Sequence, residues 1–299
     1  MDSSAVSYIA ADLLKPQGTV LTTFSHVPLF VKEIQSDKEQ HRRILDETPL
    51  ITEVANASGN INPILLSSEK QSIVQGMVEA MNVCNAPSHG SANLYWVYDI
   101  YKTTSQEKFG TLLSGEGGNG SISFAGTDYL LPFNLASLIL HPYQFLRTQI
   151  AKRIGKKYFN KYLNKRRDVV DSLEKYVSNI FLNQSVLDAY NIKEDIAKND
   201  KEIYRHISDV QEIKELFIDF YYLRSLRGAV CGHYYGFELR DPCTDLDLME
   251  YFFSIPNEAF FDDHYNNRML VKRMMSGKIP DKVLFEKEKV CKVLTYHIE

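Results

Sequence analysis

The sequence lacks the features that would place it in several common classes of protein. No run of eighteen apolar residues occurs, so we expect no membrane-spanning helix and no membrane partner. The formal charge is −4 over 299 residues, which excludes the overall basic character of a nucleic-acid-binding protein. The first residues do not form a basic stretch followed by an apolar one, so we expect no secretory signal and predict a cytoplasmic location.

Cysteine is scarce as well. The four cysteines lie at least twelve residues apart, which excludes a CxxC redox pair and a zinc knuckle, and we expect four reduced thiols. Three catalytic or phosphate-binding patterns are also absent, namely HExxH, GxSxG and GxxxxGK[ST]. A zincin metalloprotease, a serine hydrolase of the nucleophile-elbow type and a P-loop nucleotide site are therefore not expected.

Helical and strand patterns alternate over the first 125 residues. Helical spacing of apolar residues predicts helices, and short apolar or β-branched runs predict strands. The predicted helices are 4–15, 38–45, 49–57, 69–82 and 92–103, and the predicted strands are 19–25, 61–67 and 110–114. This alternation favours an α/β fold with a doubly wound parallel sheet that helices cover on both faces.

The middle of the chain is different, because residues 135–226 carry only helical patterns. Residues 147–167 contain nine Lys or Arg and no acid, and such a helix can bind nucleic acid or a membrane surface. We favour a solvated helix face, since acidic residues predominate again from Asp168. The prediction is a single domain over 1–299, with a nucleotide-binding α/β part at 1–130 and a mainly helical part at 131–299.

Two segments have the chemistry to bind an anion. Four glycines follow a predicted buried strand in the segment 112–120 (LLSGEGGNG), so its N–H groups can approach a nucleotide closely. Asp2, Ser3 and Ser4 open the first helix, where free N–H groups and the helix dipole favour phosphate and Asp2 could hold magnesium. The alternatives are a flexible surface loop for the first segment and a plain N-cap for the second.

Together these segments resemble the synthetase domain of the asparagine synthetase family. That family carries Ser-Gly-Gly-x-Asp-Ser-Ser at its first strand–helix turn, and Met1 falls on the x, with Asp2, Ser3 and Ser4 on the last three residues. A second family motif, Ser-Gly-Glu-Gly-Gly-Asp, is present at 114–118 and is followed by Asn119. The segment 236–245 (GFELRDPCTD) is similar to the family's Gly-x-Glu-x-Arg-x-Pro-Phe-x-Asp, and 268–273 and 279–284 follow in family order.

The resemblance implies a fold and a reaction. The fold is that of the adenine-nucleotide alpha-hydrolases, with a large helical insertion and a helical C-terminal part. Family members use ATP and Mg²⁺ to adenylate a substrate carboxylate, and an amine then displaces AMP; in asparagine synthetase the acid is aspartate and the amine is ammonia. The implied roles are magnesium and pyrophosphate binding by Asp2, nucleotide binding by Ser3, Ser4, Ser25, Ser114, Gly115, Gly117 and Gly118, and catalysis by Glu116 and Lys289.

Several departures from the family pattern leave activity open. The Ser-Gly-Gly and its strand are absent, Asn119 replaces an acidic magnesium ligand, and residues 291–299 do not match the family's continuation. No glutaminase domain precedes the motifs, so we expect a chain truncated at both ends, without its first strand. Lys289 belongs to a charged run that could simply be solvated.

Three functions follow as alternatives. The first is an asparagine-forming ligase that takes aspartate or another carboxylate and an ammonia donor. The second is a related peptide- or lactam-forming cyclase that uses the same adenylation step. The third is a non-catalytic remnant that binds a nucleotide or a partner protein. The sequence leaves a homodimer open.

Overall fold

The computed structural model describes residues 1–29, 43–44, 46–86, 90–124, 138–139, 142–143, 145–146, 183–192, 194, 225–262, 264, 266–286 and 289–290. The chain divides into two compact units. One comprises 1–125, 215–255 and 268–299, and the other comprises 126–214 and 256–267. Every candidate site residue belongs to the first unit, while the single domain with its internal boundary at 130 stays a prediction.

Helices and short strands alternate along the described part of the chain. In order they are α1 (Asp2–Leu14), β1 (Leu21–His26), β2 (Arg43–Ile44), α2 (Thr48–Ser58), β3 (Ile61–Leu66), α3 (Ile73–Cys84), α4 (Tyr95–Gln106), β4 (Thr111–Leu113), α5 (Gln184–Ala189), α6 (225–235), β5 (Glu238–Arg240), α7 (Leu246–Ser254), α8 (Met269–Met275), α9 (Asp281–Leu284) and β6 (Lys289–Val290).

All the described strands pair in parallel, in three two-stranded sheets. β1 pairs with β3, with Leu21 opposite Ile61, and β4 pairs with β5, with Thr111 opposite Glu238. β2 pairs with β6 over two residues. The α/β class and the parallel pairing predicted from the sequence are confirmed. The helix predicted over 38–45 is wrong at residues 43–44, which form β2. A strand of two residues is too short to show a periodic pattern in the sequence.

Local polar contacts explain where elements begin and end. α3 begins at a capping box, in which Ser72 Oγ accepts from Gln75 N–H at 3.2 Å and Gln75 Oε1 accepts from Ser72 N–H at 2.8 Å. Asn60 Nδ2 donates to Ala11 O at 2.8 Å and to Thr19 O at 3.0 Å. This one amide therefore joins the end of α1 to the segment that leads into β1.

The basic helix predicted at 147–167 lies outside the described residues, as does most of the helical middle. Within that middle, α5 is helical as expected and begins where Asn183 Oδ1 accepts from Ser185 N–H at 3.1 Å. No helix among the described residues has the length and apolar character needed to cross a membrane.

An apolar cluster lies beneath the start of α1. In this cluster, side chains of α1 contact Ile122, which follows the glycine segment, and Cys243, which follows β5. Side chains of the C-terminal helices complete it. Its buried members are Ala5, Val6, Val54, Ile122, Cys243, Val271, Met275, Ile279, Val283 and Leu284. Burial of these side chains holds five segments that are distant in sequence against one another.

Candidate functional site

The start of α1 presents backbone donors that no side chain caps. Met1 occupies the cap position without a side-chain cap hydrogen bond, and Ala5 N–H makes the first intrahelical bond, to Met1 O at 2.9 Å. The N–H groups of Asp2, Ser3 and Ser4 precede that bond and lie at the positive end of the helix dipole. A plain N-cap role for these three residues is therefore wrong, because Met1 holds that position.

The glycine segment is anchored at the end of β4. Ser114 N–H donates to Arg240 O at 2.8 Å, which extends the β4–β5 pairing by one bond, and Ser114 Oγ accepts from Glu116 N–H at 3.1 Å. A 3₁₀ turn then spans Glu116–Gly120, with Gly117, Gly118 and Gly120 buried. We call residues 114–120 the glycine loop. Its glycines are packed against the protein, unlike those of an exposed surface loop.

The glycine loop lies directly against the first turn of α1. A Cβ atom added to Gly115 would lie 2.6 Å from Ser3 N and 2.9 Å from the carbonyl carbon of Asp2. A Cβ added to Gly118 would lie 2.6 Å from Asp2 Cγ. Side chains do not tolerate such distances, so only glycine allows this approach. The two segments predicted to bind anions are therefore neighbours, although more than a hundred residues separate them.

Asp2 carries a carboxylate oxygen that suits a cation. Its Oδ1 is buried and accepts no hydrogen bond from any residue that the structure describes. Among the described residues no group of three metal-ligating side chains occurs. Magnesium is commonly held by one or two carboxylates together with substrate phosphates and water, so a buried carboxylate oxygen beside the N–H groups of a helix N-terminus fits that ion.

Glu116 has a cationic neighbour that the sequence analysis missed. Arg227 Nη2 on α6 lies 3.3 Å from Glu116 Oε1, with the glutamate side chain 46% exposed. The carboxylate is thus held at the rim of the glycine loop and reaches solvent. No local sequence signal could have found this pair, because 111 residues separate its members.

Asp241 was also missed, and it connects the glycine loop to β5. Its Oδ2 accepts from Gly117 N–H at 2.6 Å and its Oδ1 accepts from Cys243 N–H at 3.0 Å. Burial raises the pKa of the Asp241 carboxyl, although both N–H donors act in the opposite direction. An aspartate before proline is a typical turn signal, but only the structure shows the bond to Gly117.

Cys243 lies close to the carboxylates of this region. Burial first, and the negative charges of Asp241 and Asp2 second, raise the pKa of its thiol to about 12. The thiol is therefore neutral and serves as a small apolar side chain in the cluster beneath α1. It takes the position at which the family motif has phenylalanine.

The remaining predicted site residues are placed as follows. Ser4 shares the first turn of α1 with Asp2 and Ser3. Ser25 is half-buried in β1, where it pairs with Leu65, and no described contact joins it to the glycine loop. The backbone of Lys289 pairs with Arg43, and its side chain lies outside the described part of the chain. The roles of Ser25 and Lys289 stay predictions.

Comparison with known families identifies the family to which this sequence is similar. The family model for asparagine synthase matches residues 1–291, a range that contains every candidate site residue. The chain belongs to the asparagine synthase family. A search of curated proteins gives no match. The match to the asparagine synthase family also covers the helical middle of the chain, where the motifs alone gave little support for membership.

Proposed function

We propose that this chain is an ATP-dependent amide-forming ligase that activates a carboxylate and joins it to ammonia. One observation carries the proposal: Gly115 lies against the backbone of Asp2 and Ser3. The donors of the α1 turn and the glycine loop therefore border one position, where a single triphosphate can contact both. Membership of the asparagine synthase family supports amide-bond formation driven by ATP.

The proposed reaction has two steps. An oxygen of the substrate carboxylate attacks the α-phosphorus of ATP, a P–O bond forms, and pyrophosphate leaves with the electron pair of the broken bond. Ammonia then attacks the activated carbonyl carbon, loses a proton, and AMP leaves. With aspartate as the acid, the product is asparagine.

The residues of the site would divide this work. The N–H groups at Ser3 and Ser4, with the positive end of the helix dipole, would bind phosphate oxygens. The buried oxygen of Asp2 would hold magnesium, which neutralises the charge that develops on the leaving pyrophosphate. Glu116 reaches solvent beside the loop and would lie near the reacting carboxylate, with its own charge balanced by Arg227.

The proposal includes the finer predictions that go with this reaction. These are a doubly wound sheet of the adenine-nucleotide alpha-hydrolase type, a catalytic Lys289, small-molecule substrates rather than nucleic acid or membrane, and a cytoplasmic location. A homodimer stays open.

The test is a product assay with Mg-ATP, aspartate and ammonium, which follows pyrophosphate, AMP and asparagine together. We expect the three products in equal amounts, and none when aspartate is left out. Pyrophosphate release with other carboxylic acids but not with aspartate would favour the peptide- or lactam-forming cyclase. Tight binding of Mg-ATP with no pyrophosphate from any acid would favour the non-catalytic remnant.

A further inference from the structure

Both backbone polar groups of Gly117, its N–H and its carbonyl oxygen, make hydrogen bonds. Its N–H donates to Asp241 Oδ2 at 2.6 Å, and its carbonyl oxygen accepts from Ser121 Oγ at 3.3 Å. The next carbonyl, that of Gly118, accepts from the N–H groups of Ser121 and Ser123 at 3.0 and 2.9 Å. The centre of the glycine loop is therefore held by one hydrogen bond to Asp241, the residue after β5, and by hydrogen bonds from Ser121 and Ser123, which follow the loop.

The hydrogen bond between Gly117 and Asp241 links segments that are distant in sequence. Asp241 follows the last residue of β5, where Arg240 O accepts the hydrogen bond from Ser114 N–H. The second oxygen of Asp241 accepts from Cys243 N–H and begins the 3₁₀ turn Pro242–Thr244. The side chain thus bridges the glycine loop and a turn that packs into the apolar cluster beneath α1.

We propose that Asp241 is a positioning residue, which sets the distance of the glycine loop from the first turn of α1 through its bond to Gly117. This rests on the proposed function, since that distance decides whether one nucleotide contacts both segments. The family motif leaves the position of Asp241 unspecified, so the motif itself assigns it no role.

The arrangement leaves little room for the loop to shift. A Cβ on Gly118 would lie 2.5 Å from Asp2 Cβ and one on Gly115 would lie 2.6 Å from Ser3 N, so neither position has room for a side chain. The Gly117 N–H is already occupied because it donates to Asp241, which leaves the N–H groups at the start of α1 as the donors for phosphate in the proposed function. Loss of the bond would release a buried donor and let the loop move.

Two substitutions at Asp241 test its hydrogen bonds with the N–H groups of Gly117 and Cys243. Asp241→Asn keeps the shape, but the N–H groups of Gly117 and Cys243 bind different oxygens of Asp241 and asparagine replaces one of those oxygens by an NH₂ donor, so one of the two bonds is lost. Asp241→Glu keeps both acceptor oxygens on a longer arm and serves as the conservative variant. The matched control is Asp46→Asn, which makes the same charge change at an exposed residue whose Oδ1 accepts one bond, from Thr48 N–H at 2.9 Å.

The first readout is the loop itself, without nucleotide. Labelling with ¹⁵N-glycine gives one backbone resonance for each of the fifteen glycines, and Gly117 is assigned by its loss in Gly117→Ala. In Asp241→Asn we expect the Gly117 resonance to shift and its amide to exchange with solvent about tenfold faster or more, in line with loss of a charge-assisted bond. Asp46→Asn should leave both unchanged.

The second readout is the Mg-ATP dissociation constant from calorimetry. We expect Asp241→Asn to weaken binding about tenfold or more and Asp241→Glu to recover part of that loss, because a carboxylate acceptor is again present. Wild-type affinity in Asp241→Asn, or an unchanged Gly117 amide, would overturn the positioning role.

Failure of the proposed function would look different. A wild-type chain that binds Mg-ATP but releases no pyrophosphate contradicts the ligase and leaves the role of Asp241 intact. A folded wild-type chain that does not bind Mg-ATP contradicts both. If Asp241→Asn fails to fold, Asp241→Glu decides, because a residue that sets the distance of the loop should shift the Gly117 amide resonance and weaken Mg-ATP binding when its arm is lengthened. An unchanged Gly117 amide together with unchanged Mg-ATP affinity in Asp241→Glu overturns the role.

Discussion

Replacement of Gly115 by alanine tests the contact on which the site depends. The new Cβ would lie 2.6 Å from Ser3 N and 2.8 Å from Ser3 Cα, whereas ordinary contact begins at 3.4 Å. Both are backbone atoms, so no side-chain rotation relieves the overlap, and the loop must move away from α1. Gly115 has φ −111°, which alanine also adopts, so the backbone itself adds little strain.

The overlap in Gly115→Ala should lower both the free energy of unfolding and the affinity for Mg-ATP. Overpacking of a filled interior costs about 1–3 kcal/mol, and we expect Gly115→Ala to lose this much free energy of unfolding. Because the loop moves away from Ser3, Mg-ATP affinity should fall as well, by roughly tenfold for each 1.4 kcal/mol of binding free energy lost.

Urea denaturation followed by circular dichroism measures the stability, and calorimetry measures the affinity. The control is Gly110→Ala, where an added Cβ meets no atom within 4 Å and where we expect a change within about 0.5 kcal/mol. If Gly115→Ala matches Gly110→Ala in both measurements, the loop does not pack against α1 and the reasoning is refuted.

Three further predictions concern the same region. Ser3→Ala removes a hydroxyl that can donate to phosphate, so it should weaken Mg-ATP binding in calorimetry, and it should leave the melting temperature almost unchanged because Ser3 is exposed and alanine favours helix; unchanged affinity would exclude the Ser3 hydroxyl, but not the Ser3 N–H, from the phosphate site. Glu116→Gln should cost less than about 1 kcal/mol of unfolding free energy, as expected for a surface ion pair, yet reduce pyrophosphate release; full activity would remove Glu116 from catalysis. Burial is the main cause that raises the pKa values of the Cys231 and Cys243 thiols to about 12, followed by Cys84 for the first thiol and by Asp241 and Asp2 for the second. The folded chain therefore keeps protons that the unfolded chain loses above pH 9, and stability should fall as pH rises above 9. Iodoacetamide at pH 8 should leave both thiols unmodified until denaturant is added, and rapid native alkylation of either, mapped by mass spectrometry, would contradict this.

The elements that the sequence predicted well are those with a clear period or a clear boundary. α1 was expected over 4–15 and spans Asp2–Leu14, and β3 was expected over 61–67 and spans Ile61–Leu66. In both cases apolar spacing continues over enough residues to distinguish helix from strand, and a turn signal marks the end. The glycine loop could be predicted from its four glycines, which directly follow a short apolar run. The strand β4 before it has only three residues and is not buried, which corrects the buried strand expected there.

The contacts that complete the site could not be predicted in this way. The Gly117–Asp241 bond spans 124 residues, and the Glu116–Arg227 pair spans 111. β5 has three residues and β2 has two, too few to show alternation. Such features depend on the tertiary fold, which brings the end of β5 and the face of α6 to the loop, and local propensity carries no signal for them.

Hydrogen exchange with and without Mg-ATP tests the central claim most directly, because it reports on both segments in one experiment. The account predicts that amides at 2–5 and at 114–118 gain protection together, with the same midpoint in Mg-ATP concentration. Protection of only one of these segments, or of neither, would contradict a single nucleotide site built from both.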